Sequence, residues 1–367
     1  MPRAEARVNV AAIERNVARL RGELTASTAL CAVVKADGYG HGAAASARAA
    51  LAGGATWLAV AAAAEATALR AAGIDARLLV MGALTPDELD AALAADADVI
   101  AWHPDVITAI AGRGGGRVHV KLDSGMGRLG TRDAAQATRV AETAAATDGV
   151  QLAGLMTHFA TADEPGDAFF GEQLERFRAW VEPLRAAHPD AVVHAANSAA
   201  TLRDAASHFD MVRAGVAIYG LDPFQQDAGA RRLEPALELV SSVAAVKPCA
   251  AGESAGYGRR FVAEHDTVLA TVPIGYGDGV RRALTNACEV LVGGRAFPLV
   301  GTVSMDNVTV DLGADGAGVR RGQPVVLIGP GLPAEAMAAR LGTINYEITC
   351  QITARVPRAY HRDGAPA

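Results

Sequence analysis

Lys35 ends the apolar run CAVVK and is followed by the loop ADGYGHG. An ammonium inside an apolar interior is costly, so a lysine there either reaches water at the strand end or is kept desolvated for use. A desolvated lysine with a lowered pKa is the amine that Schiff-base chemistry requires. Its neighbours favour use: Gly38, Tyr39, Gly40, His41 and Gly42 read as a flexible, backbone-exposing loop with a phenol, suited to holding an anion. Further polar groups stand at the ends of later apolar runs. VHVKLDSGMGRLG carries Lys121, Asp123 and Arg128, MTHFATADE carries His158, HAANSAA carries Asn197 and Ser198, and MVRAGVAIYG carries Arg213, Gly215 and Tyr219. Each alone has a structural explanation, such as an Asp–Arg pair or a hydrogen-bonded core histidine. Together they supply cations, donors and glycines that suit a ligand bearing phosphate and carboxylate, without identifying a reaction.

Two motifs point elsewhere. GMGRLG (125–130) matches the G-x-G-x-x-G of dinucleotide sites and lies between a strand and a helical stretch. Such a site also wants an acidic residue at the end of the next strand, and there the chain reads Met156, Thr157, His158. GESAG (252–256) matches the nucleophile elbow of serine hydrolases, which needs a strand, a sharp turn and a helix. GYGRRFVAEHD follows it, inside a β-rich region. Neither nicotinamide nor acyl-hydrolase chemistry is expected.

The elements that must position these groups alternate. Short apolar runs at 31–35, 56–60, 77–81, 98–102, 117–123, 152–158, 191–195 and 210–214 read as strands, and stretches such as 62–72, 86–95 and 167–187 as amphipathic helices. Eight such units are the arithmetic of a (β/α)8 TIM barrel, with an open doubly wound sheet as the rival. In a barrel, strand ends form the rim that carries active sites. After about Leu233 Val and Thr become frequent, and ALELVSSVAAV, TVLATVPIGY, CEVLVGGRAFPLVG and NVTVDL read as strands, with Gly293-Gly294 as a hairpin turn. The expected organisation is a barrel over 1–232 and a mostly β C-terminal domain over 233–367.

Composition narrows the class. Of the 367 residues 51% are hydrophobic, much of that share alanine, enough for a large core without staples. No long uninterrupted apolar stretch and no signal-peptide core is found, so a soluble, cytoplasmic protein is expected with no membrane partner. The formal charge of −6 and the absence of basic runs argue against nucleic acid. Four scattered cysteines predict neither a disulfide framework nor a metal site.

The segments VVKADGYGHG, HVKLDSGMGRLG, THFATAD, HAANSAAT, MVRAGVAIYGL, AGYGRRF, PIGYGDG, GTVSMDNVTVD and TINYEITCQI, in this order over nearly the whole chain, resemble the alanine racemase family of the two-domain bacterial type. That resemblance implies a barrel followed by a β-rich domain, pyridoxal 5'-phosphate held through Lys35, and two-base racemisation of L- and D-alanine, supplying D-alanine for peptidoglycan. It implies that Lys35 and Tyr257 serve opposite faces of the substrate Cα. It further implies phosphate held by Tyr39, Ser198, Tyr346 and the amides of Gly215 and Val216, with Asn197 also among the cofactor-binding residues. Arg213 is implied at the pyridine nitrogen, His158 linking it to Tyr257, Arg128 at the cofactor oxygen and substrate carboxylate, and Met305 at the substrate. Lys121 sits where many members carry a carbamylated lysine. A homodimer is implied, with Tyr257 and Met305 contributed in trans.

Some positions depart from the family pattern. Asp37 stands where Asn is more frequent, Thr302 where an access-corridor Arg is common, and Met156 where some members have Tyr. These bear on strictness for alanine, so a serine or broad-spectrum racemase on the same scaffold is the nearest alternative. A non-catalytic barrel protein carrying pyridoxal phosphate is the alternative of another class.

Overall fold

The computed structural model describes residues 2–367. By contact the chain divides into two units. One comprises Ile13–Gly38 and Ala43–Ile218; the other comprises the N-terminal residues through Ala12, Tyr39–Gly42 and Tyr219–Ala367.

The first unit is a closed barrel of eight parallel strands: Ala29–Val33, Trp57–Val60, Arg77–Val80, Asp98–Ala101, Gly116–Lys121, Val150–Met156, Val192–His194 and Met211–Ala214. All eight expected strands are present. Most positions in these runs are apolar because barrel strands are covered on both faces, as at Leu58, Ala59 and Val60, all fully buried; Asp98, His119, Lys121, His194 and Arg213 are buried polar exceptions. The last strand closes on the first, Ala29 facing Met211 and Cys31 facing Arg213. Helices Ala63–Ala71, Pro86–Ala94, Pro104–Ala111, Ala134–Ala146 and Phe169–Ala187 lie between strands. The sequence TPDE shows why one of them starts where it does. Thr85 Oγ1 accepts from the Glu88 amide at 3.3 Å, Glu88 Oε2 accepts from the Thr85 amide at 2.9 Å, and Pro86 occupies the first turn.

The second unit carries, among the described residues, a ten-stranded sheet and a two-stranded ribbon. The GG hairpin forms as expected, Glu289–Val292 against Arg295–Val300, with Gly293 at φ 60° and Gly294 at φ 81°, values a primed turn requires. The run ALELVSSVAAV is two strands, Leu237–Ser242 and Ala245–Cys249, in different parts of the sheet order. Two helices, Ala334–Leu341 and Asn345–Cys350, interrupt a region that reads as β in the sequence.

The N-terminal strand Ala4–Asn9 differs most from a cut near residue 232. It pairs antiparallel with Leu237–Ser242 and parallel with Arg358–Arg362, so its backbone bonds belong to the C-terminal sheet. Its alternation buries Ala4, Ala6 and Val8. No helix among the described residues is long and apolar enough to cross a membrane.

Candidate active site

The strand ends of the barrel hold most of the polar groups singled out from the sequence. Lys35 follows the first barrel strand and opens a turn in which Ala36, Asp37, Gly38 and Tyr39 all have left-handed backbone, φ 51° to 62°. For residues with a Cβ this costs about 1–2 kcal/mol each, so the turn persists only if its surroundings determine it. They do so by hydrogen bonds. Glu65 Oε1 accepts from the Ala36 amide at 2.5 Å, Asp37 Oδ1 from the Ala43 amide at 2.9 Å, and the Val34 carbonyl from the Gly38 amide at 2.9 Å. The segment is therefore a closely held turn and not the flexible loop expected. Tyr39 and His41 are buried. Tyr39 packs with Tyr219 and Tyr346, ring centroids 5.1 and 6.0 Å away. Burial, reinforced by Tyr346 and Cys350, pushes its phenol well above the usual range.

Arg213, on the last barrel strand, is the organising cation. Its Nη1 donates to His194 Nδ1 at 2.7 Å, and its Nη2 lies 2.8 Å from the Thr157 carbonyl, 2.9 Å from that of Ala195 and 3.2 Å from His158 Nδ1. Burial lowers the guanidinium to about 10, leaving it a cation at neutral pH. His158 is held well below its ordinary pKa, first by burial and then by the charges of Arg213, Lys121, Arg128 and Lys35. Lys121 falls to about 8 through burial, Arg213, Arg128 and Lys35, with Asp123 opposing. Lys35, Lys121, Arg128 and Arg213 therefore share one site in the barrel, and His158 there is neutral.

Ser198 prepares an anion cradle beside them. Its Oγ accepts from the amides of Gly215 at 2.9 Å and Ala217 at 3.3 Å, so these N–H groups and the short 3-10 turn Val216–Tyr219 converge on one hydroxyl. Asn197 caps the helix Ser198–Arg203, its Oδ1 accepting from the Ala200 amide at 3.0 Å, which fixes Ser198 at the helix start. This donor set and the cation cluster fit a phosphate-bearing aldehyde cofactor that needs one amine, amide donors and balancing positive charge.

The decoy motifs have other uses. In GMGRLG the Gly125 and Gly127 amides both donate to Asp123, at 3.1 and 3.0 Å, so the loop folds around its own carboxylate. GESAG contributes Ser254–Ala255 to a two-stranded ribbon with Phe261–Val262, and no elbow forms.

Tyr257, Met305 and Tyr346 lie in the second unit. Tyr257 is 72% exposed and Met305 51% exposed, unusual for large apolar groups. The Tyr257 backbone is nonetheless anchored: Thr302 Oγ1 donates to its carbonyl at 2.6 Å, and Gly256 sits at φ 73° where a Cβ would lie 2.9 Å from Thr302 N. Asp278 is committed to structure, paired with Arg3 and Arg355 and accepting from the Gly275 amide. Sequence reasoning missed Asp98 and His119, buried polar residues that continue the hydrogen bonds of His194; a histidine and an aspartate inside apolar strands were the available signal.

Comparison with known proteins agrees with this architecture. The family model described as alanine racemase, N-terminal domain, matches residues 8–223, and that for the C-terminal domain matches 236–360. The alanine racemase of Frankia casuarinae is 45% identical over 347 residues, 90% of each chain. That of Symbiobacterium thermophilum is 40% identical, covering 97% of this chain and 96% of its own. The crystal structure of alanine racemase from E. faecalis superposes with a TM-score of 0.91 at 35% identity, covering 98% of both chains. One from Bacillus anthracis, solved with bound L-Ala-P, gives 0.91 at 36% identity, covering 100% of this chain and 97% of that one. With both of its domains matched, the chain belongs to the alanine racemase family of isomerases.

Proposed function

We propose that the chain holds pyridoxal phosphate through Lys35 and racemises alanine, with Lys35 and Tyr257 moving the Cα proton on opposite faces. The observation that carries this reading is the set of four cations, Lys35, Lys121, Arg128 and Arg213, acting together on His158 at the barrel strand ends. Such a field wants an anionic ligand, and a phosphate and a substrate carboxylate supply the charge. Pyridoxal phosphate, when bound, provides an electron sink that acidifies the Cα–H of an attached amino acid.

The chain's own residues then have distinct work. Ser198 with the amides of Gly215 and Val216 binds phosphate, Asn197 keeps Ser198 in place, and the phenols of Tyr39 and Tyr346 take phosphate-binding roles. Arg213 donates a hydrogen bond to the ring nitrogen but does not readily surrender its proton, which limits electron withdrawal and favours return of the proton to Cα. Arg128 takes the substrate carboxylate, and Met305 bounds the substrate. A free tyrosine has a pKa of about 10, so Tyr257 needs help to act as a base. His158, neutral and accepting from Arg213, keeps an N–H with which to stabilise a tyrosinate. In this reading the protein is a cytoplasmic homodimer, Tyr257 and Met305 act in trans, and D-alanine is made for peptidoglycan. The exposure of both residues on a single chain supports that arrangement.

Lys121 enters as a carbamate. Its neutral amine adds to carbon dioxide, forming an N–C bond and releasing a proton, and an ammonium repelled by Arg213 and Arg128 becomes an anion they attract. Because its pKa is lowered from 10.5 to about 8, the amine is protonated below that pH and neutral above it. The carbon dioxide adduct, read by mass on the Lys121 peptide in bicarbonate, is expected to grow as pH rises through 8; no adduct at any pH would count against it.

The loaded protein is expected to interconvert L- and D-alanine faster than serine or lysine, and Lys35→Ala to lose cofactor absorbance and at least about 10³-fold of the rate together, as expected when a covalent and acid–base group is removed. A variant keeping both, or a wild type that binds pyridoxal phosphate without racemising alanine, would refute the assignment. Tyr257→Phe is expected to slow deuterium exchange from L-alanine by about 10²-fold or more and exchange from D-alanine much less. Equal losses would argue against a two-base division.

A further inference from the structure

A row of buried polar side chains crosses the barrel interior from Arg213 to the opposite rim. His194 Nδ1 lies 2.7 Å from Arg213 Nη1, His194 Nε2 lies 2.8 Å from His119 Nδ1, and His119 Nε2 lies 2.9 Å from Asp98 Oδ2. Both histidines and Asp98 are fully buried. At the far end Asp98 Oδ2 accepts from Arg77 at 3.0 and 3.2 Å, and Oδ1 accepts from Arg117 Nε at 2.5 Å, while Arg117 also pairs with Asp96.

The chemistry of the two ends fixes every proton between them. Burial pushes the Asp98 carboxyl up, but His119, Arg117 and Arg77 together hold it well below the usual carboxylate range. It is an anion and only accepts, so the His119 proton is on Nε2. Burial outweighs Asp98 and keeps His119 low, with Arg77 and Arg213 adding to the effect, so its Nδ1 is a bare acceptor. His194 must then donate from Nε2. It too is held well below its usual pKa by burial, Arg213, His119 and Lys121, and its Nδ1 accepts from Arg213. All donors point from Arg213 toward Asp98, and no other assignment satisfies the row.

The fold makes room for this arrangement at a specific place. The strand pairing shifts register between Val118 and His119, which sets His119 opposite Gly154. A Cβ on Gly154 would lie 2.2 Å from His119 Nδ1, so only glycine admits the ring. Trp57 meets the ring edge-on at 5.7 Å and 88°. Such register shifts re-aim side chains near functional sites.

We propose that Asp98 and His119 are positioning residues for the reaction: a carboxylate at the far rim selects the His194 tautomer that accepts from Arg213 and thereby holds the guanidinium in place. The proposal rests on the reading that Arg213 serves the cofactor ring nitrogen. Asp98→Asn tests it. An asparagine offers one acceptor oxygen to two guanidinium groups and turns its NH2 toward His119, which drives both histidines to the Nδ1–H form and sets an N–H against Arg213.

In histidine-labelled protein without cofactor, long-range 1H–15N spectra are expected to show wild-type His119 and His194 neutral with the proton on Nε2, and Asp98→Asn to convert both. The loaded variant is expected to lose about tenfold in kcat, the scale of one hydrogen bond to a charged group, with KM within about twofold. Wild-type spectra showing Nδ1–H or doubly protonated rings overturn the proposal even if the variant does not fold, and so do altered tautomers with full turnover. Wild-type tautomers as expected in a protein that never binds pyridoxal phosphate overturn instead the reading of the site.

Discussion

A buried guanidinium holds this barrel's polar interior together. Arg213 is buried, yet it stays charged because two imidazoles and two carbonyls accept from it. An unpaired buried cation would cost several kcal/mol; with acceptors on both sides it becomes a fixed donor. Everything near it is arranged in consequence. His158 and His194 are kept neutral, Lys121 is lowered, and the strand ends carry a surplus of positive charge that an anionic ligand relieves. The family to which the chain belongs and the chemistry of this site point in the same direction.

The scaffold spends conformational strain where precision is needed. Four consecutive left-handed residues follow Lys35, held by Glu65 at Ala36, by the Asp37 carboxylate at Ala43 and by the Val34 carbonyl at Gly38. A register shift at His119 and a glycine opposite it open space for a ring that no apolar residue would need. Near Tyr257, Gly256 and Thr302 approach so closely that a side chain on the glycine would strike backbone. These features are local, and each sits beside a residue with proposed chemistry.

Much of this was legible in the chain. Eight apolar runs separated by helical stretches read directly as a barrel, because strands buried on both faces need no alternation to be seen. Lys35, Lys121, His158, Ser198 and Arg213 were visible as polar residues ending those runs. The strand Ala4–Asn9 was not, since its buried positions are small and its partners lie more than two hundred residues away. Nor was the row through His119: a histidine in VHVK and an aspartate opening DVIAW were visible singly, but the link to His194, 75 residues on, appears only when the barrel closes. The loop GYGHG misled for a physical reason. Glycines signal permissive backbone equally well in a flexible loop and in a tight left-handed turn, and only the surrounding hydrogen bonds distinguish them.

The chain contains three lysines, Lys35, Lys121 and Lys247, which makes the central claim directly measurable. Protein loaded with pyridoxal phosphate, reduced with borohydride and digested, is predicted to carry the trapped pyridoxyl group on the Lys35 peptide alone. A label on Lys121 or Lys247, or no label on a protein that has taken up the cofactor, would contradict the account.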